Sequence, residues 1–332
     1  MNKLIAVSIG DINGIGIELL IKLVLNNQIK NIVLFTDIKA IKKYISKRNY
    51  KIKTNIFSKN YIYKNNYLNI FSYISKSPED NTLKSIKLAH KQCLDKNFIG
   101  MVTLPIRKDL IIKKIMPNFI GHTEYLQKLE KKKYSNMILY HKKIIISPLT
   151  THITINSVSN KISKNNYLFD QIKNLSRSLK IDFNINNPRI IVSGLNPHAG
   201  ENGKIGNEEL KIITPTINKL KKNKISVEGP FSSDSMLIDK SKKYADCFTF
   251  MFHDQALIPF KYISNFSGVN YTGNLDVIRT SPDHGTAYKL IGKNTVSNIS
   301  LKNCFKLINL IFNNRKNYEK SKKVTKSKFY NR

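Results

Sequence analysis

The sequence predicts an α/β protein, and three observations carry that expectation. First, three apolar runs each end in a polar segment bearing a histidine. Cys247–Phe252 leads into His253-Asp254-Gln255, Arg189–Leu195 into Asn196-Pro197-His198, and Ile144–Ile146 through Pro148 into Thr150-Thr151-His152. Unbroken apolar runs are the mark of strands buried on both faces. Second, the chain starts as strand, glycine-rich turn and helix, over Lys3–Ile9, Gly10–Glu18 and Leu19–Leu25. Third, runs with helical apolar spacing recur between the strands, as at Leu168, Ile172, Leu175 and Leu179. Ligands of open α/β sheets lie beyond the carboxyl ends of the strands. If the three histidine-bearing strands share a sheet, their imidazoles can meet at one ion.

At 332 residues and 41% hydrophobic the chain is globular, with one large or two medium domains. The formal charge of +34 raises nucleic acid or a membrane surface as partner. Arg stands at only seven positions, however, and Lys is dispersed together with Asn and Ile. That pattern is a compositional bias rather than a groove built for phosphates, where guanidinium forks are expected. No nucleic-acid or membrane partner is expected. Cys93, Cys247 and Cys304 are odd in number and far apart, so a reducing, cytoplasmic setting is expected. Leu4–Ile9 is too short for a signal segment, and no apolar stretch approaches the ~18 residues of a membrane span.

In chain order, Gly10-Asp11-Ile12-Asn13-Gly14-Ile15-Gly16 spaces its glycines unlike the dinucleotide fingerprint. It reads as a phosphate-binding turn or simply as a tight strand-to-helix connection. Asn31–Phe35 is a second strand and Ile38–Ser46 a helix, with short strands after it. Asp80 is placed to cap a helix through Leu83, Ile86, Ala89 and Cys93, on which His90 is structural. Phe98–Val102 is a strand, and Arg107 and Lys108 beyond it suit either an anion or a solvated loop. Thr123 is placed as N-cap of a helix over Tyr125–Lys133, and His141 lies in a turn. The loop Ser193–Gly203 carries three Gly and one Pro around His198, backbone tailoring that suggests a shaped site. Asn207 caps a helix with Glu208 and Glu209 in its first turn. Gly229–Asp234 reads as a turn into a helix, Val277-Ile278 as a strand ending at Arg279, and Leu301–Phe312 as the last helix. The Lys-rich tail from Asn313 reads as frayed.

Taken together these stretches resemble the 4-hydroxythreonine-4-phosphate dehydrogenases of vitamin B6 biosynthesis. The resemblance rests on G-D-I-N-G-I-G at Gly10, G-H-T-E at Gly121, T-T-H-I at Thr150 and G-L-N-P-H-A-G-E at Gly194. It continues with G-P-F-S-S-D at Gly229, F-H-D-Q at Phe252, G-V-N at Gly268 and I-R-T-S-P-D-H-G-T-A at Ile278. The resemblance implies the two-domain isocitrate/isopropylmalate dehydrogenase-like α/β fold, with the active site in the interdomain cleft. Residues 1–145 plus 280–332 would form the cofactor-side domain and residues 146–279 the metal, substrate and dimerisation domain. It implies a homodimer whose active site is completed across the dimer interface.

The same resemblance implies that His152, His198 and His253 bind a divalent metal, zinc, magnesium, cobalt or manganese. It places His122, Thr123, Lys261, Asn270 and Arg279 on the substrate, and His284-Gly285-Thr286-Ala287 on the adenosine part of NAD or NADP. Asp254 reads either as the group that orients a ligand imidazole or as a helix cap. The implied reaction is oxidation of 4-phosphooxy-L-threonine by NAD(P) to a β-keto acid, which decarboxylates to 3-amino-2-oxopropyl phosphate. A sister activity on 4-phospho-threonate or 4-phosphoerythronate is the nearest alternative, and a basic nucleic-acid-binding protein without catalysis is the alternative from another class. Ala256, where Gly is usual in the family, predicts backbone strain. Leu104 and Arg107 also depart from its pattern, as do Asn274 and Asp276.

Overall fold

The computed structural model describes residues 3–57, 62–293 and 296–330, with side chains described through 322. The chain divides into two compact units, Met1–Glu130 with Leu275–Asn309, and Lys131–Asn274 with Leu310–Arg332. Against the expected division, residues 131–145 and the end of the chain group with the second unit, and residues 275–279 with the first.

The first unit opens with β1 (Ile5–Ser8), α1 (Ile15–Leu25), β2 (Ile32–Thr36), α2 (Ile38–Lys47), β3 (Lys53–Ile56) and β4 (Tyr67–Ser72). It continues with α3 (Pro78–Leu94), β5 (Gly100–Thr103), α4 (Lys108–Lys114) and α5 (His122–Leu129). β1 and β2 are buried along their whole length, as strands covered on both faces must be. α1 begins at Ile15, straight from the glycine turn and earlier than its apolar run suggests. Glu18 on it is buried, and it is satisfied by Lys22 Nζ at 2.8 Å and the Gly292 amide at 2.9 Å. α3 is capped not by Asp80 but by Ser77, whose Oγ accepts the Asp80 amide at 3.1 Å. Asp80 Oδ2 in turn accepts the Lys76 amide at 2.8 Å, a reciprocal arrangement close to a capping box. His90 is structural as expected, with Nε2 3.1 Å from Glu130 Oε1.

The second unit holds β6 (Asn136–His141), β7 (Ile144–Pro148), α6 (Val158–Ser163), α7 (Tyr167–Asp182), β8 (Ile190–Ser193) and α8 (Thr214–Lys222). It continues with β9 (Val227–Phe231), β10 (Cys247–Phe250), α9 (His253–Ser264) and β11 (Val269–Gly273). Among the described residues its strands run β11-β6-β7-β10-β8-β9, antiparallel at β11-β6-β7 and parallel beyond. His141 ends a strand rather than sitting in a turn. Gly229 and Pro230 lie within β9 and not in a turn that starts a helix. Ile146, Ile191, Phe250, Ala256 and Phe260 pack together under α9. Ala256 is wholly buried inside that helix, so the left-handed strain expected there does not arise.

β12 (Arg279–Pro282) returns to the first unit, starting where the expected strand at Val277 was to end. The first unit's strands then run β3-β4-β2-β1-β5-β12, all parallel, among the described residues. The last helix, α10 (Ile299–Tyr330), runs well past Phe312. The expected frayed tail is helical at its start because it is anchored within the second unit. Arg315 Nε donates to Asp182 Oδ1 at 2.7 Å, Asn314 Nδ2 to Asp182 O at 2.8 Å, and Tyr271 Oη to Asp182 Oδ2 at 2.6 Å. No helix of the described residues is long and apolar enough to cross a membrane.

Candidate active site

In the second unit β7, β10 and β8 are consecutive neighbours and parallel, so their carboxyl ends lie side by side. Each leads to one of the three histidines. The chain beyond β7 is tied to that beyond β10 by Leu149 N to Phe250 O at 2.7 Å, and by Thr150 Oγ1 to Met251 O at 2.7 Å. His152 then takes a left-handed φ of 46°. The ring centroids of His152 and His253 lie 5.8 Å apart, inclined by 40°.

His253 is the first residue of α9, and its Nδ1 lies 2.7 Å from Asp254 Oδ1. Phe252 holds the N-cap position, so Asp254 is the carboxylate partner of an imidazole rather than a cap. The contact favours a proton on Nδ1 and leaves Nε2 as the donor to an electrophile. Gln255 carries no such chemistry. Its Oε1 accepts the Met251 amide at 2.9 Å and its Nε2 donates to Gly194 O at 3.1 Å, bracing the end of β10 to the loop after β8.

That loop holds His198 in an unusual backbone. His198, Ala199, Gly200, Glu201 and Asn202 have φ of 51°, 53°, 80°, 41° and 55°, a turn of left-handed helix. Each L-residue there costs ~1–2 kcal/mol, so other contacts must over-determine the loop. Glu209, buried at the start of a π turn (Glu209–Ile213) before α8, supplies them. Its Oε1 accepts the Leu195 amide at 2.7 Å and the Asn196 amide at 2.8 Å. A Cβ on Gly200 would lie 2.6 Å from Glu209 Oε2, so the carboxylate occupies the space a side chain would need. Sequence reading gave Glu209 to the helix dipole; neither its clamp nor the brace of Gln255 has a local sequence signal. Near the same loop, Asp234 is held below the ordinary carboxylate value, first by the Ser232 hydroxyl at 2.7 Å, with His198 adding to the effect.

Within one chain, no group of three His, Cys, Asp or Glu side chains among the described residues closes around a metal position. His152 and His253 are brought together, and His198 does not join them in such a group. The pair itself suits a borderline divalent cation: two imidazoles, one with its tautomer set by a carboxylate. Also in the second unit, Lys261 Nζ lies 5.1 Å from the centroid of the Phe266 ring. Asn270 on β11 has its Oδ1 buried without a hydrogen-bond partner, an acceptor available to a ligand.

In the first unit the chain leaves β1 for β2 on one side and later for β5 on the other, which makes β1–β5 the topological switch point. The loop after β1 meets those after β5 and β12 there. Asp11 N donates to Pro105 O at 2.8 Å and Ile15 N to Thr286 O at 2.9 Å. Gly10 has φ 63°, and a Cβ on it would lie 2.5 Å from Pro105 O. Of the expected adenosine-binding segment, Thr286 therefore sits at the start of α1, His284 Nδ1 lies 3.0 Å from Gly285 O, open space surrounds Gly285, and Ala287 takes φ 43°. Tyr288 Oη donates to Asp11, and the Arg107 guanidinium lies 5.6 Å from the centroid of the Tyr288 ring.

Arg279 is fully buried at the start of β12, with Nε 2.9 Å and Nη2 2.6 Å from Thr103 Oγ1 at the end of β5. Burial pushes its guanidinium down to about 10. Nearby His122 is held well below its ordinary value by burial and then by the charges of Arg279 and Lys108, so it is neutral at pH 7. Its Nε2 is buried without a hydrogen-bond partner. Thr123 is not the cap expected of it. Gly121 takes that position, and Thr123 lies buried in the first turn of α5.

Fold and side chains define an α/β protein with two imidazoles brought together in one unit, and in the other a buried guanidinium whose charge acts on a half-buried imidazole. The chain belongs to the pyridoxal phosphate biosynthetic protein PdxA family, whose profile matches residues 22–308, and it is an oxidoreductase. It is 34% identical over 304 residues to 4-hydroxythreonine-4-phosphate dehydrogenase of Sulfurihydrogenibium, covering 87% of this chain and 92% of that protein. To the enzyme of the same name from Aquifex aeolicus it is 36% identical over 318 residues, covering 93% and 98%. The crystal structure of 4-hydroxythreonine-4-phosphate dehydrogenase from Klebsiella pneumoniae superposes with a TM-score of 0.82 at 27% identity, covering 94% of this chain and 98% of that one.

Proposed function

We propose that the protein oxidises 4-phosphooxy-L-threonine with NAD or NADP in pyridoxal phosphate biosynthesis. Hydride leaves the carbinol carbon for the nicotinamide and the hydroxyl loses its proton. The resulting 2-amino-3-oxo-4-phosphooxybutanoate releases CO2 to give 3-amino-2-oxopropyl phosphate. The observation that carries this reading is the pairing of His152 with His253 at neighbouring strand ends, in a chain related over most of its length to enzymes of that name.

His152, His253 and His198 are the residues to hold a divalent ion, zinc, magnesium, cobalt or manganese. When bound, that ion supplies Lewis-acid polarisation of the substrate hydroxyl. His284–Ala287 would hold the adenosine part of NAD or NADP, whose nicotinamide would supply the hydride acceptor. Asp254 fixes the ring of His253. Arg279 grips an oxyanion with two N–H groups, and His122 and Thr123 add donors. Lys261 gives a point charge, and the buried Oδ1 of Asn270 accepts from the substrate amino group.

A homodimer accounts for two features of the second unit. His198 stands apart from the other two histidines, as expected if a second copy completes the metal set. Ile258 and Tyr262, four residues apart on α9 and both exposed, present apolar surface for a partner. Three free cysteines support a cytoplasmic setting.

The test is turnover of purified, metal-loaded protein on 4-phosphooxy-L-threonine and on 4-phosphoerythronate with each nicotinamide. Reduction with the amino acid, abolished by His253→Ala, is expected. Activity confined to the sugar acid overturns the substrate assignment.

A further inference from the structure

Buried Arg279 and the charge of Lys108 both act on half-buried His122, and the sequence leaves Lys108 undecided between an anion ligand and a loop cation. Arg107 and Lys108 follow β5 together but diverge. Arg107 Nε turns to Asp109 Oδ1 at 2.7 Å. Lys108 turns the other way, to the start of α5. A Cβ placed on Gly121, the N-cap of α5, would lie 3.3 Å from Lys108 Nζ and 2.9 Å from Glu124 Oε2. An ammonium and a carboxylate thus lie against the residue that precedes His122. No side chain caps α5, so its first amides also face outward from the helix start. The buried, unpartnered Nε2 of His122 belongs to the same helix turn. Arg279 acts on His122 by its charge, and Glu124 acts on Arg279 in the same way.

These groups form a place rich in donors, with two cations set against one carboxylate. A substrate carboxylate would be saturated by the two-pronged guanidinium alone. A phosphate monoester has three acceptor oxygens and a charge near −2 at neutral pH, and it calls for a second cation. Without Lys108, the Glu124 carboxylate would oppose that dianion and offset part of the charge of Arg279. We infer that Lys108 is a further substrate-binding residue, its ammonium contacting the substrate phosphate beside Arg279 and His122. This inference rests on the proposed function above.

The test compares Lys108→Met, Lys108→Arg and Arg279→Lys, each metal-loaded, on 4-phosphooxy-L-threonine and on unphosphorylated 4-hydroxy-L-threonine. Inorganic phosphate is added as competitor, and thermal melts report folding. Loss of a charge-assisted hydrogen bond corresponds to roughly ten- to a hundredfold in affinity. Lys108→Met is expected to raise KM for the phosphorylated substrate by about that factor with little change in kcat. It should weaken inhibition by phosphate in parallel and move kcat/KM for the unphosphorylated substrate less than about threefold. Lys108→Arg should recover part of the loss, which a merely structural lysine would not require. An equal loss on both substrates, or no loss, overturns the assignment of Lys108. If Arg279→Lys still discriminates between the substrates in that case, only Lys108 is misassigned. If Arg279→Lys also affects both substrates alike, the proposed phosphate site itself falls.

Discussion

The Glu209 carboxylate receives Asn196 twice, through its backbone amide at 2.8 Å and its side-chain amide at 2.9 Å. With the Leu195 amide at 2.7 Å, these contacts hold the loop that carries His198. Glu209→Ala would leave the part-buried backbone amides of Leu195 and Asn196 without their acceptor, while Asn196 Nδ2 keeps Glu208 Oε2 at 2.8 Å. Each hydrogen bond to a charged group contributes ~1.5–3 kcal/mol, less than additively. A stability loss of at least ~2 kcal/mol in urea unfolding is expected, with metal affinity down more than about tenfold and Glu209→Gln intermediate. Unchanged metal affinity in Glu209→Ala would mean that the loop holds its geometry without the clamp.

Asp254 offers the complementary case, because its side chain is 74% exposed and its one described partner is His253. Asp254→Asn is therefore expected to leave thermal stability nearly unchanged while lowering metal affinity by about ten- to a hundredfold. Metal titration followed by calorimetry separates the two effects. A large drop in stability with metal affinity intact would count against an orienting role.

His122 gives a pH dependence of definite sign. Its folded-state value is held well below the ordinary 6.5 by burial, then by Arg279 and Lys108. Below pH 6.5 the unfolded chain therefore binds a proton that the folded chain does not. The residue lowers stability progressively as pH falls through that window, and its influence vanishes above it. His122→Gln should remove this part of the slope, so the melting-temperature gap between variant and parent should shift in the variant's favour from pH 7 to pH 5. An identical slope in both proteins would mean that the imidazole is protonated in the fold.

Arg315 and Asp182 form a largely buried pair with Tyr271, their side chains 20% and 4% exposed. Removing one member of such a pair strands the other and costs ~3–5 kcal/mol. Arg315→Met is expected to lower stability by about that amount. A double-mutant cycle with Asp182→Asn should show strong coupling. A cost below ~1 kcal/mol would mean that the end of the chain contributes little to the second unit.

Much of this was legible because it is local. The runs ending at His152, His198 and His253 announce strands by unbroken apolar character, and β7, β10 and β8 prove adjacent in one sheet. The tailored loop around His198 announced itself by its glycines. Other features depend on partners that no window of sequence contains. Gln255 meets Gly194 across 61 positions and Arg315 meets Asp182 across 133, so one reads as a polar residue and the other as tail. β6 was missed because its residues carry no clean alternation, and antiparallel pairing with β11 decides their state. The caps at Ser77 and Gly121 displaced the expected Asp80 and Thr123 by a few residues, since several candidates with capping chemistry stand in a row and only the entry angle of the chain selects among them. Ala256 misled for a similar reason: its family position favours Gly, yet its helical backbone does not need one.

The mirror-handed turn at His198–Asn202 also constrains which sequences this family member can explore. At positions 199, 201 and 202 the left-handed main chain itself screens the side chain, and at 199 close packing against Gly194 adds to it. A randomised library selected for metal retention should return Gly, Asn and Asp at those positions and exclude Val, Ile and Thr, whose branching clashes with that handedness.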